Sequence, residues 1–239
     1  MDPKRPSMLP RVLEPEVMDT EEDARDYDSM DHSAVNALFV SDLLAHFSSA
    51  SSRIGPLLGP VLDLGTGTAQ IPIELCRREP HVLVTAVDLA DHMLALARRN
   101  VERAGLAARI RLDKGDGKRL PYPDSTFFAV MSNSIVHHIP APKSALEEAL
   151  RVTRRGGRLF FRDLLRPEND AEVRRLVDAY APPAGGGAVS DHQRALFDAS
   201  LRAALTLDEI RALVDELGLC SECVQQTSDR HWTLATIVA

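Results

Sequence analysis

Two carboxylates and two glycines stand where a nucleotide-like ligand would meet them. Val61-Leu62-Asp63-Leu64 is a short apolar run broken by one acid, and Gly65-Thr66-Gly67 follows it. The run reads as a buried strand, and the glycines let backbone approach a ligand without a Cβ clash. A pyrophosphate-binding turn would read G-x-G-x-x-G, but Gln70 occupies the last glycine position. Asp63 repels a diphosphate and suits an ammonium group. Asp88 ends Val84-Thr85-Ala86-Val87-Asp88, 21 residues beyond Gly67. There a carboxylate can accept hydrogen bonds from both ribose hydroxyls. Its plainer role is a helix N-terminal neighbour of Asp91.

These groups need a frame, and the pattern supplies one. Asp31 or Ser33 can cap a helix through Leu38, Phe39, Leu43 and Phe47. From residue 60, apolar runs alternate with amphipathic stretches. Strands are predicted at 61–64, 82–87, 109–112, 127–132 and 158–164. Helices are predicted at 69–78, from Asp91 (as cap) to Val101, and at 143–152, the last stopped by Gly156-Gly157. This rhythm predicts an α/β fold: an open, mostly parallel twisted sheet with helices on both faces. After residue 165 come helices at 168–180 and 191–205, and one capped by Thr206 with Glu209 as its capping-box partner. Two closing strands, 223–227 and 231–238, form a hairpin and bring the sheet to seven strands.

The 239 residues carry a formal charge of −7 and 44% apolar residues, which fits an ordinary globular protein. The acidic balance disfavours nucleic acid, whose phosphates need clustered Lys and Arg. Three cysteines argue against a disulfide framework. Cys220 and Cys223 lack a second ligand pair, so no metal site is expected, and the bland reading is a turn-to-strand segment with two small buried side chains. No apolar run is long enough for a membrane span. The N-terminal stretch has no apolar signal core, so a cytoplasmic location is expected.

The order D-L-G-T-G-T, V-D-L-A-D-H-M-L, G-D-G-x-x-L-P-Y-P-D-S-T-F and S-N-S-I-V-H-H-I resembles the class I S-adenosylmethionine-dependent methyltransferases. It is similar to the branch that includes the quinone-methylating and small-molecule type 11 enzymes. The motifs span roughly residues 60 to 165. The resemblance implies S-adenosylmethionine as cofactor and a small-molecule methyl acceptor as partner. Asp63, Gly65, Thr66 and Gly67 would line its methionine part, and Asp88 would hold the ribose. Leu89 and Met93 would lie against the adenine. Asp116 would bond the adenine amino group with Gly117 beside it, and Asn133 would sit by the methionine backbone. Ala69 departs from the family, many of whose members carry a third glycine there. Residues 1–30 would be an arm and possible lid bringing Tyr27 to the cofactor. Residues 31–239 would be the methyltransferase domain, with 168–205 as a substrate cover. A monomer or homodimer is expected.

Methyl transfer from a sulfonium mainly needs a positioned acceptor, and a base only where the acceptor loses a proton. The catalytic candidates are His137 and His138 after the fourth strand and Asp163 on the fifth. Histidine titrates near neutral pH, which favours His137 as base. The alternatives are packing or capping for the histidines and pairing with Arg162 for Asp163. Other readings of the chain are an RNA methyltransferase, a catalytically silent cofactor-binding module and, disfavoured by Gln70 and Asp63, a nicotinamide oxidoreductase.

Overall fold

The computed structural model describes residues 8–14, 20, 24, 28, 32–48 and 59–239. Its elements are α1 (Ser33–Ser48), β1 (Pro60–Leu64), α2 (Gln70–Arg78), β2 (Leu83–Asp88), α3 (Asp91–Arg103), β3 (Ile110–Lys114) and β4 (Phe127–Asn133). Then follow α4 (Pro142–Val152), β5 (Thr153–Leu164), α5 (Asp170–Tyr180), α6 (Ala188–Ala203), α7 (Leu207–Glu216), β6 (Val224–Gln226) and β7 (His231–Ile237). The seven-stranded sheet has the order β3-β2-β1-β4-β5-β7-β6. Strands β1 to β5 pair in parallel, and β6 and β7 are the antiparallel closing strands. The strand order reverses between β1 and β4, the place where open α/β sheets receive ligands. The architecture anticipated from the sequence is present.

The chain divides into two compact units. The first, 17–135, 141–162 and 234–239, contains β1 to β4. Its core joins Phe39, Val40 and Leu43 of α1, Val61 of β1, Val84 of β2, Met131 of β4 and Phe160. β1 and β4 are buried along nearly their whole length, as unbroken apolar runs in a parallel sheet must be. The second unit, 8–14 of the described arm with 136–140 and 163–233, contains α5 to α7. Its core is Leu164, Val173, Leu176, Val177, Leu201 and Ala204, with Leu9 packed against it.

Local boundaries differ from the pattern in instructive ways. The helix after β2 begins at Asp91, but Ala90 is the cap and no side chain caps it. Gly156-Gly157 does not end an element ahead of β5. Both residues lie inside β5, where the β4–β5 register shifts between Phe127 and Ala129. A Cβ on Gly157 would meet Arg154 O at 2.6 Å and Phe128 O at 2.9 Å, so the glycine permits a bulge rather than a stop. The anticipated capping box is complete. Glu209 N donates to Thr206 Oγ1 at 3.2 Å, and Thr206 N donates to Glu209 Oε2 at 2.9 Å. Thr206→Ala should lower stability by about 0.5–2 kcal/mol in thermal or denaturant unfolding.

Candidate active site

In the first unit, the carboxyl ends of β1, β2 and β4 carry most of the residues singled out above. Asp63 stands one position in from the end of β1, opposite Ala86 of β2 and Met131 of β4. It is 2% exposed. Burial pushes its carboxyl up to about 7; the Asp88 charge pushes the same way, and the Thr66 hydroxyl opposes both. Gly65 N and Thr66 N both donate to Val87 O, at 2.8 and 2.9 Å, which stitches the turn to β2.

The turn itself explains its glycine. Gly65 has φ +75°, and a Cβ there would lie 2.2 Å from Ile135 Cδ1. The glycine thus answers to backbone conformation and to a neighbouring side chain as well as to any ligand. Ala69, at the position many members fill with glycine, takes φ +63°. Gly67 N donates to Asp88 Oδ2 at 2.7 Å, and Ala90 N donates to Asp88 Oδ1 at 2.9 Å. These two amides orient the carboxylate at the tip of β2.

Leu89 is half-buried, and Met93 packs with Ala24 and Ala90. Asp116 accepts from Lys118 N at 2.9 Å and pairs with Lys118 Nζ at 3.0 Å. Burial opposes its ionisation, but the Lys118 contacts prevail and hold its pKa below the usual range. A Cβ on Gly117 would lie 3.1 Å from Leu64 Cδ1. Asn133 is the last residue of β4, half-buried. Tyr27 lies outside the described residues, as does most of the anticipated arm. Its residues Ala24 and Asp28 are described: Ala24 packs against Met93, and Asp28 Oδ1 accepts from Asn100 Nδ2 at 3.0 Å.

The second unit holds His137, His138 and Asp163 together. Asp163 is 1% exposed, and its Oδ1 lies 2.5 Å from His137 Nδ1. Val136 N and Leu164 N also donate to this carboxylate, at 2.5 and 2.6 Å. Burial would raise the Asp163 pKa, but the His137 charge and these donors lower it on balance. Burial would lower the His137 pKa, but Asp163 and then Glu14 raise it on balance.

Sequence reasoning missed Glu14. Its Oε1 lies 3.1 Å from His138 Nδ1 and 3.6 Å from His137 Nε2. Ser200 Oγ donates to it at 3.2 Å. Burial would raise the Glu14 pKa, but contact with His138 and the histidine charges lower it. Arg11 ties the same segment down, donating to His137 O, Ile139 O and Ala203 O at 3.1, 3.0 and 2.6 Å. No local periodicity marks Arg11 or Glu14; their role follows from a docking that spans more than 120 residues of chain. His137 is 3% exposed, whereas His138 is 18% exposed. Asp163 does not pair with its neighbour Arg162, which bonds Asp42 at 2.7 Å.

Residues 62–161 match the family described as "Methyltransferase domain". The 27-O-demethylrifamycin SV methyltransferase of Amycolatopsis mediterranei is 30% identical over 73% of this chain and 60% of its own length. A demethylmenaquinone methyltransferase of Deinococcus radiodurans is 36% identical over 54% of each chain. The plantazolicin methyltransferase BpumL, solved with a desmethyl analogue and S-adenosylhomocysteine, shares the fold with TM-score 0.67 at 15% identity, over 86% of this chain and 73% of its own.

The chain spans about half to three-fifths of the length of the curated relatives it matches. Within the matched span lie Asp63, Asp88, Asp116, Asn133, His137 and His138. Asp163 and Glu14 fall outside it.

The raised Asp63 pKa has a consequence for the folded domain. An unfolded aspartate loses its proton near pH 4, whereas Asp63 keeps it to about 7. The native state binds the extra proton across that interval, so stability from this group falls as pH rises through it. Asp63→Asn should therefore raise stability at pH 8 by about 1–3 kcal/mol and change it little at pH 4. Urea unfolding at the two pH values checks this.

Proposed function

We propose that the chain transfers a methyl group from S-adenosylmethionine to a small-molecule acceptor that loses a proton in the reaction. The observation that carries the cofactor half is the turn after β1. Two carboxylates, Asp63 and Asp88, flank it, an arrangement that favours a cationic ligand and repels a diphosphate. The family match and the S-adenosylhomocysteine bound to the plantazolicin relative support the same ligand.

In this reading Asp63, Gly65, Thr66, Gly67 and Asn133 surround the methionine portion. Asp63 ionises against the ammonium, and Asp88, at the tip of β2, accepts from the ribose hydroxyls. Leu89 and Met93 give the adenine apolar contact, while Asp116 and Gly117 meet its edge. The cofactor supplies an activated methyl, so the chain's own work is to hold the acceptor and take its proton.

The proton falls to His138. His137 has both ring nitrogens engaged, Nδ1 by Asp163 and Nε2 toward Glu14. His138 has Nδ1 toward Glu14. With the ring proton on Nδ1, its Nε2 can accept, and Glu14 stabilises the imidazolium that forms. His137 and Asp163 hold the turn through the Val136 amide. The small-molecule methyltransferase relatives and the net charge of −7 favour a small acceptor over RNA.

Titration calorimetry with S-adenosylmethionine, S-adenosylhomocysteine and NAD tests the cofactor: the two adenosyl ligands should bind, and binding of NAD alone would overturn the reading. Homocysteine release across hydroxylated and quinol acceptors tests turnover. His138→Gln should lower kcat by about 10²–10⁴-fold with cofactor affinity unchanged. An unchanged kcat would remove His138 from proton transfer.

A further inference from the structure

We propose that Glu14, His137 and His138 bind a divalent transition-metal ion of the zinc class, a site that the sequence pattern does not announce. One ligand atom from each of the three residues lies within 4.8 Å of the others. Tetrahedral zinc with bonds of about 2.0–2.2 Å sets its ligand atoms roughly 3.3–3.5 Å apart. The observed separations from Glu14 Oε1, 3.6 Å to His137 Nε2 and 3.1 Å to His138 Nδ1, bracket that value. His138 Nδ1 is buried, yet makes no well-directed hydrogen bond despite its closeness to Glu14. His138 Nδ1 and the Glu14 oxygen are thus near each other without being aimed at each other, as two ligands of one ion are.

The surroundings fit as well. Asp163 holds His137 Nδ1 at 2.5 Å, so His137 presents Nε2 as the ligand. A carboxylate on the far nitrogen of a metal-bound imidazole is the usual orienting partner. Ser200 orients Glu14 from the other side. Arg11 is the opposing charge nearby, and its guanidinium is engaged by the carbonyls of His137, Ile139 and Ala203. Two imidazoles and one carboxylate select zinc, cobalt or nickel over magnesium or calcium, and three protein ligands leave a fourth position open.

Occupation of this site has a predictable effect on catalysis, which rests on the reading of His138 as proton acceptor. A cation on Nδ1 leaves the remaining ring proton on Nε2. That nitrogen then has no lone pair to offer, and methyl transfer falls. The ion and the acceptor's proton compete for one imidazole.

Cobalt(II) titration of the full chain tests the site directly. One equivalent should give the visible ligand-field absorption of a four-coordinate ion, and zinc should displace it. Glu14→Gln and His138→Gln, with folding checked by circular dichroism, should each weaken binding at least tenfold. Replacing Cys220 and Cys223 with serine should leave the signal intact, because those thiols, outside any disulfide, are the competing soft ligands. Absence of the absorption, its survival in both Glu14→Gln and His138→Gln, or its loss in the cysteine variant would overturn the site. Zinc should also inhibit homocysteine release. Tight binding without inhibition would leave the metal site standing and overturn only the coupling to His138.

Discussion

A carboxylate buried one step inside the end of the first strand carries the cofactor half of the proposed reading. Asp63 is 2% exposed, and the Asp88 charge adds to what burial does to it. An ionised acid there is costly until a cation arrives. The surrounding structure supports that single tension. Val87 O gathers the Gly65 and Thr66 amides, Gly67 N orients Asp88, and the reversal of strand order between β1 and β4 opens the adjacent edge. A ligand with an ammonium relieves the strain; one with a diphosphate would deepen it.

The second unit shows the opposite solution to buried charge. Asp163 is as hidden as Asp63, but His137 and two backbone amides meet it at 2.5 to 2.6 Å. One carboxyl is therefore held above its ordinary range and the other below it. In the proposed reading the first ionises on ligand binding. The second is a fixed anion that positions a histidine-bearing turn. In that reading the two acids separate a binding role from a supporting one within one chain.

Much of this was legible in the residue pattern because parallel strands and their helices have strong periods. The run Val61 to Leu64, the tip at Asp88 and the capping box at Thr206 each follow from local chemistry, and each stands where that chemistry puts it. The glycine pair at 156–157 misled because a bulge and a stop share a sequence signature. Asp91 misled because it sits inside its helix rather than ahead of it. Glu14 was illegible for a different reason. Nothing within a few residues of it marks a site, and its meaning comes from Ser200 and the two histidines. The exposure difference between His137 and His138, adjacent in sequence, is likewise a matter of tertiary packing.

The most direct test of the account is the proton released when S-adenosylmethionine binds. Calorimetry at pH 6.5 in two buffers of different ionisation enthalpy measures it. Asp63, held to about 7 in the free chain, should ionise against the ammonium. Roughly 0.5–1 proton per site should be released, and Asp63→Asn should abolish the release. Binding without proton exchange, or the same exchange in Asp63→Asn, would contradict the account.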